Sequence, residues 1–97
     1  MLKSKERAYL RSLANTMEPI FNIGKLGISA DMTTSVSEAL KKRELIKVSV
    51  LKNCPYDTKE MGEMLSERTR SELVQIVGKK ITLYKRNNDD PTIILPK

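Results

Sequence analysis

A chain of 97 residues, of which 39% are hydrophobic and 31% charged, is expected to form one domain with a modest core and no deep active-site cleft. It contains no histidine and one cysteine, which excludes the commonest general base, a histidine metal site and an internal disulfide. Lysine and arginine number 18 against 12 acidic residues, a balance typical of proteins that bind nucleic acid or an anionic surface.

No apolar run approaches the length of a membrane span, and the first seven residues lack the apolar core of a signal peptide. These features predict a cytoplasmic protein that is not an enzyme and has no cofactor, no metal and no small-molecule substrate. Cys54 is interpreted as a loop thiol, because no histidine is present to activate it. Aromatic residues make up 4% of the chain, so base-stacking platforms are not prominent in the sequence.

The first predicted helix spans residues 4–15 and has two distinct faces. Its apolar arc comprises Leu2, Tyr9, Leu10, Leu13 and Met17. Beside this arc, Lys3, Arg7 and Arg11 recur every four residues and form a basic stripe. The stripe is either a binding surface or an ordinary solvated face, and the spacing does not choose between them.

A short strand over residues 20–23 is predicted to lead into the turn Gly24-Lys25-Leu26-Gly27, and a helix with Ser29 as its N-cap follows. The two glycines allow close approach of a bulky neighbour and positive φ. The helix directs its unpaired N–H groups towards the turn, so the turn and Lys25 together suit a phosphate. A lone Gly-x-x-Gly also suits a purely structural turn.

Downstream, a strand is predicted over residues 45–51, with Ile46, Val48 and Val50 on one face. The next helix is expected to start at Asp57, with Glu60 completing a capping box, and to end near Thr69. Its apolar residues are Met61, Met64 and Leu65, and its outer surface carries Glu60, Glu63 and Glu67. That acidic surface is a poor candidate for contact with nucleic acid.

Two further strands, over residues 72–77 and 81–85, are predicted to form a hairpin whose turn contains Gly78, Lys79 and Lys80. Glycine at the first turn position favours a type II′ turn. Residues 87–97 form a turn-rich tail, in which residues 92–95 are either a short edge segment or loosely ordered. The order α-β-α-β-α-β-β predicts an α+β fold, an α/β two-layer sandwich with a small mixed four-stranded sheet.

Four sequence blocks in this order resemble the CRM domain, named for chloroplast RNA splicing and ribosome maturation, and in particular its bacterial stand-alone YhbY type. They are Leu-Lys-Ser-Lys-Glu-Arg-Ala-Tyr-Leu-Arg-Ser-Leu-Ala, Pro-Ile-Phe-Asn-Ile-Gly-Lys-Leu-Gly-Ile-Ser, Lys-Arg-Glu-Leu-Ile-Lys-Val and Val-Gly-Lys-Lys-Ile-Thr-Leu-Tyr-Lys. The resemblance covers nearly the whole chain, which is therefore treated as a single domain over residues 1–97.

The resemblance implies a fold similar to the C-terminal domain of translation initiation factor three. It also implies RNA binding and association with precursors of the large ribosomal subunit. The family's Gly-x-x-Gly loop maps onto Gly24, Lys25, Leu26 and Gly27; Leu26 departs from the pattern, because that position is often basic or small. The resemblance thus makes this loop the leading candidate RNA contact. The stripe Lys3, Arg7 and Arg11 and the hairpin lysines Lys79 and Lys80 are further candidates.

The leading hypothesis is therefore a monomeric, non-enzymatic RNA-binding assembly factor that acts on ribosomal RNA and makes no membrane contact. One alternative is a DNA-binding module that uses the first helix, although no helix-turn-helix pair is visible. A protein-interaction adaptor using Leu26 and the acidic helix is the other. Salt dependence separates nucleic-acid binding from adaptor binding.

Overall fold

The computed structural model describes residues 2–96 and contains three helices and one four-stranded sheet. The helices are α1 (Ser4–Ala14), α2 (Ala30–Arg43) and α3 (Thr58–Thr69). The strands are β1 (Phe21–Ile23), β2 (Leu45–Val50), β3 (Glu72–Val77) and β4 (Lys80–Tyr84). The predicted element order and the α+β class are confirmed, and the predicted bounds lie within one residue of these.

The sheet has the strand order β1-β2-β4-β3. β1 runs parallel to β2, and β4 pairs antiparallel with both β2 and β3. The β3–β4 hairpin turns through Gly78 and Lys79, with Val77 paired to Lys80. Gly78 has φ 60°, and Lys79 is not among the residues with positive φ, as the predicted type II′ turn requires.

Helices cover both faces of the sheet, so the prediction of two layers is wrong and the domain has three. One core cluster joins Ile46, Val48 and Leu83 to residues of α2 and α3. The other joins Leu45 and Tyr84 to residues of α1 and to the C-terminal tail. Neighbouring strand residues point to opposite faces. The right-handed crossover rule determines which face of the sheet α2 and α3 cover, because each of them connects parallel strands. It does not determine the face that α1 covers, because α1 precedes the first strand.

Two local predictions for the helices differ from the structure. Asp57 precedes α3, but its side chain makes no capping hydrogen bond, so the predicted capping box with Glu60 is wrong. Tyr9, predicted to lie on the apolar arc of α1, is 39% exposed, whereas Leu10 is fully buried. By contrast, the Ser29 hydroxyl accepts a hydrogen bond from the backbone N–H of residue 32 (3.0 Å), as its assignment as N-cap of α2 predicts.

The C-terminal tail forms no strand within the described residues and is held instead by Glu44. This residue ends α2 with φ 62° and is completely buried. Its carboxylate accepts hydrogen bonds from the backbone N–H groups of Asn87 (2.9 Å), Thr92 and Ile93 (2.8 Å), and from the Thr92 hydroxyl (2.6 Å). Ile93 and Leu95 then pack against the cluster around α1.

Burial alone would raise the pKa of the Glu44 carboxyl. The hydrogen bonds from Thr92, Asn87 and Ile93 outweigh this effect and place the pKa below its ordinary value of 4.5. The folded state therefore holds Glu44 as a carboxylate at neutral pH. The tail and the end of α2 are thereby joined into one unit on the side of the sheet where β2 begins and β4 ends.

Candidate nucleic-acid interface

The Gly24–Gly27 loop begins directly after β1 and forms a tight turn, which the Gly27 N–H closes by donating to the Gly24 carbonyl (3.0 Å). Lys25 and Leu26 occupy the corner of the turn. Both are exposed, and Leu26 is 90% exposed. α2 starts three residues after the loop, with Ser29 as its N-cap, so the N-terminal end of its dipole lies behind the turn. Asp31, in the first helical turn, offsets part of that positive field.

The two glycines of the loop have different structural roles. Gly27 has φ 71° and is buried, and a Cβ at this position would lie 2.9 Å from Cε2 of Tyr56. Gly24 does not have positive φ, and a Cβ there would be 3.7 Å from Oδ1 of Asn53, an ordinary contact. The expectation that both glycines supply positive φ is therefore wrong for Gly24. The turn therefore does not require glycine at position 24. The missing side chain instead leaves the backbone open to a close neighbour.

Hydrogen bonds between strands bring two other segments to the same end of the sheet. The Leu51 N–H donates to the Ile23 carbonyl (2.8 Å), and the Val50 N–H donates to the Lys79 carbonyl (2.7 Å). The segment after β2 and the β3–β4 turn therefore lie beside the glycine loop. Because adjacent strands are about 4.8 Å apart, the turn at Lys79 is roughly 10 Å across the sheet from the loop.

Three exposed lysines, one from each segment, lie at this end, which we call the loop edge. They are Lys25, Lys52 and Lys79. Among residues 2–96, none of the three has a side-chain hydrogen bond or an ion pair. Lys80 lies at the same end but on the face that bears α1, since the next residue, Ile81, belongs to the core beneath α2 and α3. The loop edge is thus a compact set of charges with no internal partner.

The basic stripe of α1 lies elsewhere. Arg7 is half-buried and its guanidinium donates to the Leu73 and Val74 carbonyls (2.5 and 2.8 Å), at the bulge of β3, the sheet edge opposite β1. Lys3 and Arg11 are exposed. Arg7 therefore bonds to the sheet, and the structure does not join the stripe to the loop edge.

Two absences hold for the part of the chain between Leu2 and Pro96. No cluster of histidine, cysteine, aspartate or glutamate in that part could hold a metal ion. No helix there is long and apolar enough to cross a membrane.

Comparison with known proteins identifies the family of this chain. The family model of the CRS1/YhbY (CRM) domain matches residues 2–85. The chain belongs to the CRM domain family. It is 46% identical over 96 residues to "Probable RNA-binding protein YqeI" of Bacillus subtilis, covering 99% of this chain and 100% of YqeI. It is 29% identical over 97 residues to the "RNA-binding protein" of Haemophilus influenzae, covering 99% and 96% of the two chains.

The fold is shared with a solved structure, that of the hypothetical protein SAV1595 from Staphylococcus aureus. The two superimpose with a TM-score of 0.82 at 50% sequence identity, covering 99% of this chain and 100% of that one. This agreement extends the family likeness beyond the matched residues 2–85 into the tail held by Glu44.

Sequence reasoning missed two features near the glycine loop of this CRM chain: Lys52 of the loop edge and the contact between Tyr56 and Gly27. Lys52 follows β2, which runs parallel to β1, and parallel neighbours end at the same edge. That rule could have found Lys52 once both strands were predicted. Tyr56 contacts Gly27 across a gap of 29 positions, and no local pattern indicates this contact.

Proposed function

We propose that this CRM domain binds RNA at the loop edge and acts in assembly of the large ribosomal subunit. The observation that supports RNA binding is the convergence of Lys25, Lys52 and Lys79, which come from three segments and have no internal partner, beside a glycine turn at a helix N-terminus. A separation of roughly 10 Å is short enough for neighbouring nucleotides of one strand to span. The RNA-binding names of the relatives support the same class of ligand.

In this proposal the lysines neutralise successive phosphates, while Gly24 lets a phosphate approach backbone N–H groups. Phosphate contacts position an RNA and base contacts specify it. The ribosomal assignment is supported by the family resemblance alone. It predicts that crosslinking in cells enriches precursors of large-subunit ribosomal RNA, whereas crosslinks spread over messenger RNA would contradict it.

Salt dependence of binding tests the location of the RNA site. The triple variant Lys25→Gln, Lys52→Gln, Lys79→Gln should flatten the plot of log affinity against log salt by about 2, since each contact with single-stranded RNA adds about 0.7. The matched control replaces Lys41, Lys42 and Arg43 with glutamine, an equal loss of charge at the far end of α2. That end is about 21 Å away at 1.5 Å per residue over 14 residues. Equal flattening by both triples would refute a located site.

A comparison of ligands separates RNA from DNA and from protein. Fluorescence anisotropy at one salt concentration should show tighter binding to a structured RNA than to duplex DNA of equal length. Equal or tighter DNA binding would favour the DNA-binding module. RNA affinity that is negligible and insensitive to salt would favour the adaptor instead.

A further inference from the structure

A cleft of about 220 Å³ lies between the Gly24–Gly27 loop and α3. Among its lining residues are Leu26, Ile28, Tyr56, Glu60, Met64 and Arg68. Glu60, Met64 and Arg68 recur every four residues along α3 and form one wall. Leu26 and Tyr56 form the side nearest the loop. The cleft therefore adjoins the turn that carries Lys25.

The chemistry of this cleft matches a flat ring with a polar edge. Ile28 and Met64 provide apolar surface, while Glu60 provides an acceptor and Arg68 a donor. Tyr56 is 47% exposed although its ring lies against Gly27, so part of the ring is open to a ligand. A nucleobase has apolar faces for stacking and an edge that both donates and accepts hydrogen bonds.

The charges around the cleft favour one orientation of a bound strand. Lys25 lies on the loop side, whereas Glu60 and the exposed Glu63 and Glu67 lie on α3. A phosphate is attracted to the first side and repelled by the second. A strand that places its phosphate on the loop therefore directs its base towards the cleft.

Both sides of the cleft are held by contacts already present in the protein. The Arg68 guanidinium donates to the Ile28 carbonyl (3.5 Å), which ties α3 to the segment after the loop. The Cys54 thiol donates to the Tyr56 carbonyl (3.8 Å). These contacts restrict the motion of the cleft before binding, which lowers the conformational entropy lost when a ligand enters.

We propose that the cleft binds one unpaired base of an RNA strand, stacked on Tyr56, while the adjoining phosphate contacts Lys25. This inference rests on the proposed RNA-binding function and adds that the recognised RNA contains an unpaired nucleotide. A base within a duplex is stacked on both faces and cannot enter the cleft. The domain therefore prefers loops, bulges or single strands to continuous helix.

The test uses two RNA hairpins that carry 2-aminopurine, a base whose fluorescence falls on stacking, either in the loop or in the stem. The wild-type protein should quench the emission of the loop probe but not of the stem probe, and it should bind either hairpin more tightly than a continuous RNA duplex that has no unpaired base. Tyr56→Leu should remove the quenching and lower affinity roughly five- to 150-fold, the usual range for one stacked base. The salt slope should not change, because no charge is lost. Tyr9→Leu makes the same chemical change on half-exposed α1 surface and should bind as the wild type does.

Two further variants keep the test valid if Tyr56→Leu is poorly folded. Tyr56→Phe retains the ring and should bind normally. Leu26→Ser changes a 90% exposed side chain, so it should leave the melting temperature unchanged while weakening loop-probe binding.

The possible outcomes distinguish this inference from the proposed function. Unchanged affinity and quenching in Tyr56→Leu, or equal binding of a probe with no unpaired base, would overturn the base site while leaving RNA binding intact. The base site would also be overturned if a protein bound in the cleft and Tyr56→Leu had no effect on RNA affinity. Failure of the wild type to bind any RNA in a salt-dependent manner would refute the proposed function itself.

Discussion

Alanine substitutions at Gly24 and Gly27 of the glycine loop, and at Gly78 of the β3–β4 turn, separate the effect of a side chain on stability from its effect on RNA binding. Gly78 has φ 60° and open space around a Cβ, so Gly78→Ala measures the backbone cost alone. That cost is about 1–2 kcal/mol for an L-residue in left-handed geometry. Gly24→Ala has neither positive φ nor a close contact. By restricting the unfolded chain it should be neutral or stabilise by up to ~1 kcal/mol.

Gly27→Ala combines the backbone cost with a steric one. The new Cβ would meet Cε2 of Tyr56 at 2.9 Å, but the half-exposed ring can turn aside at about 0.5–1.5 kcal/mol. The free energy of unfolding should therefore fall by about 1.5–3.5 kcal/mol. For a domain of this size, each kcal/mol corresponds to about 4–8 °C in melting temperature. The expected order of melting temperature is Gly24→Ala highest, Gly78→Ala next and Gly27→Ala lowest.

The assays are thermal melting by circular dichroism and RNA anisotropy on the same preparations. Gly24→Ala should keep its melting temperature and lose RNA affinity, because its methyl group covers backbone that a phosphate would approach. Gly78→Ala, matched in chemistry but placed on the hairpin, should lose stability and keep affinity. A wild-type melting temperature for Gly27→Ala would refute the argument from φ. Wild-type RNA affinity for Gly24→Ala would refute close phosphate approach at the loop.

The other predictions concern charged residues. Lys25→Asp should lower RNA affinity tenfold or more, about 1.4 kcal/mol, and change stability by less than ~0.5 kcal/mol; wild-type values for both would place the RNA surface elsewhere. Glu44→Gln should cost about 1–3 kcal/mol and speed amide exchange at Thr92. Because the folded pKa of Glu44 is lowered, its stabilisation is present above pH 4.5 and is lost as pH falls further. Acid unfolding as steep in Glu44→Gln as in the wild type would contradict this. Arg7→Gln should lower the melting temperature through lost bonds to the β3 bulge, whereas Arg11→Gln should not; an RNA salt slope flattened by either would assign the stripe to the binding surface.

The sequence predicted those features that depend on neighbours in the chain. The Ser29 cap and the Gly78 turn follow from residue types at fixed local positions, and the exposure of Lys25 follows from its place at a turn corner. Hydrophobic periodicity located the three helices and β2. These signals are reliable because the caps, turns and buried faces of an element are set by residues close together in the sequence.

Features that depend on distant segments could not be predicted in this way. Glu44 follows a cationic helix end and resembles a surface charge, but its hydrogen-bond donors come from Thr92 and other residues more than 40 positions later. Arg7 was indistinguishable from Arg11 until the β3 bulge provided two carbonyl acceptors. The position of β4 between β2 and β3 depends on long-range pairing, and that pairing brings Lys79 to the loop edge.

The distribution of internal partners separates charges that hold the fold from charges available to a ligand. Arg7, Glu44 and Lys85 each bond to backbone groups, Lys85 through the Thr69 carbonyl (3.1 Å). Withdrawing any of these groups would leave backbone atoms without a partner. Lys25 and Lys79 have no such obligation among the described residues, so a phosphate can bind them without breaking a contact. RNA binding at the loop edge should therefore leave the hydrogen bonds between Glu44 and the C-terminal tail intact. Amide exchange at Ile93 should be the same with and without RNA.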